Sequence, residues 1–341
     1  MKIVLDAFGG DYAPTEIVKG ALLGLYENPE LTIYLVGKQD VLEKELEDKS
    51  YDKDRLIIVH ASDVISCDEA PVEAIRTKKD SSLVVGIDKL KSEPDILGII
   101  SAGSTGALLS GAVLKLGRIK GLNRPALAPL LPTATGGQVL LIDCGANMDT
   151  KPINLAQFAI MGSIYMQKML NIENPRVALL SVGTEDTKGN ELVKESFEIL
   201  KTLPINFVGN MEARDALSGD FDIIVADGFA GNVLLKSIEG SFKMCMQQIK
   251  GTIKSSFWAK IGGLLIKKPL KKTLKRFDYH SFGGSPLLGT KRIVIKAHGS
   301  SKANETLIAI NQLIEIGSKN INADIEQALA NINIGENNEW C

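Results

Sequence analysis

Cysteine and histidine are scarce in this chain of 341 residues: four cysteines (Cys67, Cys144, Cys245, Cys341) and three histidines (His60, His280, His298). No C-x-x-C pair and no metal-ligand spacing occurs among them. That pattern speaks against a zinc site and against a disulfide framework, and it makes a reducing cytoplasm the expected setting. Long apolar runs are missing too, since none approaches the roughly 20 residues that cross a bilayer. The start, Met1 to Asp6, turns acidic too soon for a signal peptide. Charge of one sign is not in excess: the net charge is −2, which argues against a general nucleic-acid binder.

What is present is a regular alternation of apolar strands and amphipathic helices. Strands are predicted at Ile3–Leu5, Leu31–Val36, Leu56–Val59, Ile96–Ile100, Val139–Ile142, Arg176–Leu180, Ile205–Val208, Asp222–Ala226 and Arg292–Ile295, with helices between most of them. The rhythm breaks at Asn123–Pro132, a stretch with three prolines. The alternation predicts an α/β fold with a mostly parallel sheet covered on both faces. Residues 1–320 read as a single α/β domain carrying a basic helical insert over 240–285, and residues 321–341 as a C-terminal helix and tail.

In such sheets ligands sit outside the carboxyl ends of the strands. Six polar, glycine-bearing loops follow strands here: Asp6–Asp11 with Gly9 and Gly10, Ser101–Ala107 with Gly103, Ser104, Thr105 and Gly106, Asp143–Asn147, Ser181–Asn190 with Gly183, Thr184 and Asp186, Asp227–Asn232 with Gly231, and Lys296–Ser301 with Ser300. The Ser101–Ala107 loop runs from a strand into a helix. Its glycines allow close backbone approach, and its helix-start N–H groups favour an anion. It reads as a phosphate cradle, although an ordinary helix cap accounts for the same residues.

Taken in order, these loops resemble those of the PlsX family, the phosphate acyltransferases of bacterial phospholipid synthesis. Asn123–Ala126, Ala159–Gly162 and Glu212–Asp215 add to the resemblance, which spans roughly residues 1 to 320. Small departures from the family pattern are Phe8, Tyr12 and Ser104, at places where methionine, histidine and asparagine are common. The resemblance implies reversible transfer of a long-chain acyl group from acyl carrier protein to inorganic phosphate, with no cofactor and no metal. It implies a homodimer on the three-layer α/β/α fold shared with isocitrate and isopropylmalate dehydrogenases and with phosphotransacetylase. It also implies work at the inner face of the cell membrane, where a membrane glycerol-3-phosphate acyltransferase takes the product.

Phosphate attack on a thioester asks little of the protein beyond positioning and donors for the tetrahedral oxyanion, because phosphate is already an anion and a thiolate leaves readily. Lys188 is the first catalytic candidate, as a loop ammonium that neutralises phosphate, with Glu185 and Asp186 either holding it or capping the next helix. Asn232 is either an oxyanion donor or an N-cap. His298 either protonates the leaving thiol or is a hydrogen-bonded loop residue. Asp6, Asp11, Asp143 and Asp227 are expected to orient loop amides. Asn147 and Lys296 are lesser candidates for phosphate or substrate binding. Cys144 reads as a buried filler, and His60 and His280 as structural.

From Gly240 to Phe277 no acidic residue occurs, while lysine is frequent. Phe257, Trp258, Ile261, Leu264 and Leu265 recur at helical spacing, Pro269 breaks the pattern, and Leu270, Leu274 and Phe277 resume it. Two short amphipathic helices in a hairpin fit this pattern. The hairpin is suited to an anionic membrane surface, to an acidic carrier protein, or to dimer packing. Two rival enzyme classes are a nicotinamide dehydrogenase of the same fold, against which the lack of G-x-G-x-x-G spacing counts, and an acyl-CoA-using phosphotransacylase.

Overall fold

The structure, a computed structural model, describes residues 1–276 and 283–331. In chain order the elements are β1 (Lys2–Asp6), α1 (Thr15–Glu27), β2 (Thr32–Gly37), α2 (Gln39–Leu46), β3 (Leu56–His60), α3 (Pro71–Thr77), α4 (Ser82–Ser92), β4 (Ile96–Ser101), α5 (Thr105–Gly111), β5 (Ala126–Leu127), β6 (Leu130–Pro132), β7 (Gln138–Ile142), α6 (Pro152–Leu170), β8 (Val177–Ser181), α7 (Glu191–Thr202), β9 (Phe207–Glu212), β10 (Ile223–Val225), α8 (Gly228–Lys254), α9 (Phe257–Arg276), β11 (Ser285–Leu288), β12 (Ile293–Lys296), α10 (Ala303–Ser318) and α11 (Ile321–Asn331). Helix α5 runs on into a π-helical turn over Ala112–Leu116.

The strands divide over two sheets rather than the one that the alternation suggests. The first has the order β3-β2-β1-β4-β12-β11-β5 and the second β6-β7-β10-β8-β9. Strands β3, β2, β1, β4 and β12 are parallel, and β11 and β5 add antiparallel edges. In the second sheet β7, β10, β8 and β9 are parallel and β6 is an antiparallel edge. The division falls in the proline-rich stretch. Proline has no N–H to give a ladder and is confined to sheet edges. Strand β5 is the last of one sheet and β6 the first of the other, with Ala128 and Pro129 between them.

Parallel pairing puts the loops after β1, β4 and β12 at one edge of the first sheet, and those after β7, β10 and β8 at one edge of the second. Helix α6 is buried along nearly its whole length, from Asn154 to Met169, and packs against β7 and β10.

The basic region also differs from expectation. Helix α8 is continuous from the Asp227 loop to Lys254, and the chain turns at Ser255 and Ser256. Pro269 lies inside α9 instead of separating two short helices. The two helices touch where Gly263 lies against Ile253, with no room for a Cβ. Phe277 and His280 lie outside the described residues, as does the tail beyond Asn331. Among the described residues no helix is long and apolar enough to cross a membrane.

Candidate active site

A cleft of about 440 Å³ opens where the two sheet edges meet. One wall comes from the first sheet: Ala102, Gly103 and Thr105 after β4, and Lys296 to Gly299 after β12. The other comes from the second sheet: Cys144 and Gly145 after β7, and Asn232, Leu235, Lys236 and Glu239 on α8. Leu127, Pro129, Leu130 and Leu131 form an apolar flank from the segment that links the sheets.

The first wall is held from behind by the loop after β1. Asp6, buried, accepts from Ser101 Oγ at 2.6 Å and from the Phe8 N–H at 3.2 Å. Ser101 Oγ in turn accepts the Gly103 N–H at 3.1 Å. A Cβ on Gly9 would stand 2.5 Å from the Gly103 nitrogen, so glycine alone lets these loops touch. Gly10 has φ +98°, and the Asp11 N–H donates to Gly299 O at 2.7 Å, tying the β1 loop to the β12 loop. Burial raises the Asp6 carboxyl above the usual carboxylate range, while the Ser101 hydrogen bond and the nearby Lys296 pull it back.

Ser104 caps α5, its Oγ accepting from the Ala107 N–H at 3.4 Å. The N–H groups of Ser104, Thr105 and Gly106 have no partner among the described residues. Gly106 itself faces Pro71 at a helix contact, so its lack of a side chain serves packing.

Lys296 is the cation inside this wall. Its Nζ donates to Ala102 O at 3.2 Å and to Ala297 O. Burial lowers its pKa to about 8, against the opposing pull of Cys67, Asp6 and Asp11. His298 Nδ1 stands 2.9 Å from Ser300 Oγ and accepts the Ser300 N–H at 3.3 Å. An imidazole accepting at Nδ1 carries its proton on Nε2 when neutral.

The second wall is built differently. Asp143, fully buried, accepts the N–H groups of Leu127, Cys144, Ala146 and Asn147 and the Asn147 side-chain amide. Burial raises its carboxyl, and these donors oppose the rise. The Asn147 NH₂ also donates to Pro125 O at 2.8 Å, so both its hydrogens hold loop structure and it does not line the cleft. Asp227 caps α8 by accepting the Ala230 N–H at 2.8 Å, and the Gly228 N–H donates to Asn147 O at 2.8 Å. A Cβ on Gly231 would overlap Asp143 O. The start of α8 is thus occupied by protein groups. Asn232 follows on the cleft side, half-buried, with its side chain beside Gly145. Cys144 is buried and its thiol is pushed well up by burial.

The loop after β8, like the loop after β1, does not itself line the cleft. Gly183, Thr184, Asp186 and Lys188 lie after β8, one strand beyond β10 at the same sheet edge. Lys188 is exposed; its backbone N–H donates to Glu185 O at 3.0 Å, and its ammonium forms no ion pair with Glu185 or Asp186 among the described residues. Helix α7 is capped by Asn190, which accepts the Val193 N–H at 3.0 Å.

Missed in the sequence were the apolar flank Leu127–Leu131 and the α8 residues Leu235, Lys236 and Glu239. The second group was legible, because Asn232, Leu235, Lys236 and Glu239 follow the i, i+3, i+4, i+7 pattern of one helix face. Among the described residues no group of three or more His, Cys, Asp or Glu side chains is arranged to hold a metal ion.

The fold is that of a phosphotransacetylase-like α/β protein. A phosphotransacetylase from Streptococcus pyogenes superposes with TM-score 0.60 at 20% identity, covering 92% of this chain and 94% of that one. A branched-chain phosphotransacylase from Enterococcus faecalis does so with TM-score 0.57 at 16% identity, covering 93% and 99%. The chain belongs to the family described as fatty acid synthesis protein, whose model matches residues 1–324. A phosphate acyltransferase of Clostridium tetani is 47% identical over 332 residues, 97% of this chain and 99% of that one.

Proposed function

We propose that this chain is a phosphate acyltransferase that moves a long-chain acyl group from acyl carrier protein to inorganic phosphate, giving acyl phosphate for phospholipid synthesis. The observation that carries the reading is the juxtaposition in one cleft of a desolvated lysine, Lys296, with an apolar flank of leucines. An anion suits the first and an acyl or pantetheine chain the second. Relatives named phosphate acyltransferase that match nearly end to end support it.

In this reading phosphate sits against Lys296, the Thr105 hydroxyl and the N–H groups at the start of α5. Lys188 is the second cation, reaching in from the adjoining loop together with Gly183, Thr184 and Asp186. A phosphate oxygen attacks the thioester carbonyl, and the Asn232 amide donates to the tetrahedral oxyanion. The C–S bond then breaks. The thiolate leaves with the bonding pair, and His298, its Nδ1 engaged by Ser300, donates an Nε2–H hydrogen bond to the departing sulfur. Asp6, Gly9, Gly10, Ser101 and Gly103 position the phosphate wall, and Asp227, Gly231 and Asn147 position Asn232.

The exposed stripe of α9 fits membrane or dimer contact: Phe257 is 71% and Trp258 78% exposed, with Leu264 and Leu265 close to that and Ile261 beside them. We propose a homodimer, cytoplasmic and peripherally bound to anionic membrane, handing acyl phosphate to a membrane glycerol-3-phosphate acyltransferase.

Mass spectrometry after incubation with a long-chain acyl carrier protein thioester and phosphate tests the reaction, with acyl-CoA and NAD as controls. Acyl phosphate and free carrier protein are the expected products. Their absence overturns the reading.

A further inference from the structure

Helix α8 has two unlike faces. Lys236, Lys243 and Lys250 recur every seven residues, close to two turns, and Lys254 follows four residues later, so all four lie along one side. Ile238, Phe242, Ile249 and Ile253 lie along the opposite side, and it is there that Gly263 of α9 packs against Ile253. The basic side therefore stays outward when the apolar side is covered.

That side begins inside the site. Lys236 lines the cleft, paired with Glu239 at 2.8 Å, and beyond Glu239 the helix has no acidic residue. Lys243 and Lys250 are exposed and form no ion pair among the described residues. Gly240 and Gly251 lie on this same side, and nothing stands within 4 Å of where their Cβ atoms would be. Glycine inside a helix lowers its stability, and here no contact among the described residues requires it. Small residues between lysines let another backbone come close to a row of cations.

We propose that this basic face of α8 is the docking surface for the acidic carrier protein that delivers the acyl thioester, an inference that rests on the acyl-transfer reading above. Acidic side chains of the carrier pair with Lys243 and Lys250, and its thioester arm enters the cleft past Lys236. The apolar face of α8 and the stripe on α9 are left to the membrane or to a second copy. One helix thereby serves two partners from opposite sides.

The test is the double variant Lys243→Glu/Lys250→Glu, neither residue being part of the cleft. Steady-state rates with phosphate are measured for an acyl carrier protein thioester and for the same acyl group on pantetheine. Binding of fluorescently labelled carrier protein is measured alongside. KM for the carrier thioester is expected to rise, and carrier binding to weaken, by about tenfold or more, with a flattened salt dependence. Rates with the pantetheine thioester should stay within about twofold, and Lys243→Arg/Lys250→Arg should behave as the unaltered chain. Unchanged carrier KM and binding overturn the docking surface while leaving acyl transfer standing. Equal losses with both donors overturn it as well, and so does lost flotation on phosphatidylglycerol vesicles with carrier kinetics intact. No turnover of either donor by the unaltered chain overturns the acyl-transfer reading itself.

Discussion

The two walls of the cleft are written in nearly the same residues and are built for different work. Each has an aspartate ending a strand, a glycine-bearing loop and a helix start. On the first wall the carboxylate of Asp6 acts through Ser101, the backbone N–H groups of Ser104 to Gly106 have no partner among the described residues, and a half-buried lysine, Lys296, stands beside them. On the second wall Asp143 gathers the N–H groups of its own loop, Asp227 closes the start of α8, and Gly231 is pressed onto Asp143 O. In the proposed reading the first is an anion seat. The second is a joint that fixes where Asn232 stands. A strand–glycine–helix motif thus has N–H groups to offer a ligand only where its own side chains leave them unoccupied.

The largest expected effect separates the walls by one methyl group on each. Gly231→Ala forces a Cβ onto a buried backbone oxygen that cannot yield, and a loss of about 3 kcal/mol or more is expected, read as a collapse of the thermal transition. In Gly103→Ala the nearest atom to the new Cβ is Ser101 Oγ at 3.3 Å, and the next lies at 3.5 Å. That variant should lose less than about 1 kcal/mol of stability while its KM for phosphate rises. Equal melting temperatures for the two variants would break the distinction between seat and joint.

Next in size is the cation of the seat. Lys296→Met is expected to lower kcat/KM for phosphate about a hundredfold, on the scale of losing a preorganised charge in a water-poor site, with the fold retained. The pH profile gives the sign. With its pKa lowered to about 8, Lys296 is an ammonium below that pH and a neutral amine above it. Activity that depends on its charge therefore falls as pH rises through about 8. Lys296→Arg, charged throughout, should move that descending limb to higher pH. A limb that stays in place in the arginine variant takes the charge role away from Lys296.

Most strands and the identity of the loops were legible because apolar runs and glycine positions are local signals. Val139–Ile142 could only be a buried strand, and Pro125, Pro129 and Pro132 marked the break in rhythm. That the break divides two sheets was not legible, since pairing partners are set by tertiary contacts between residues far apart in the chain. For the same reason the surroundings of the lysines could not be read. Lys188 stands among hydroxyls and glycines and looks catalytic in one dimension. Lys296 looks like an ordinary strand end, and only the fold, which turns its ammonium onto Ala102 O and Ala297 O, places it with Lys236 in the cleft. Pro269 misled in the opposite direction: its missing N–H argues for a helix end, yet α9 continues through it.

The smallest effect concerns Lys188 and sharpens the comparison by adding a third loop to it. The β8 loop is tied down at few points: the Asn210 side-chain amide donates to Glu185 O at 2.9 Å, while Asn210 Oδ1 and Ser181 Oγ are buried and unpaired among the described residues. A loop with buried acceptors unused beneath it can settle differently once an anion draws its lysine inward, because donors arriving there remove the cost of those unpaired atoms. Lys188→Ala is therefore expected to leave the melting temperature unchanged and to lower kcat/KM for phosphate about tenfold, less than the loss at Lys296 because the Lys188 ammonium starts exposed to solvent. The pH limb near 8 should persist in this variant, since Lys296 still supplies it. Near-normal rates would return Lys188 to the role of a solvated loop residue and leave the phosphate to the first wall alone.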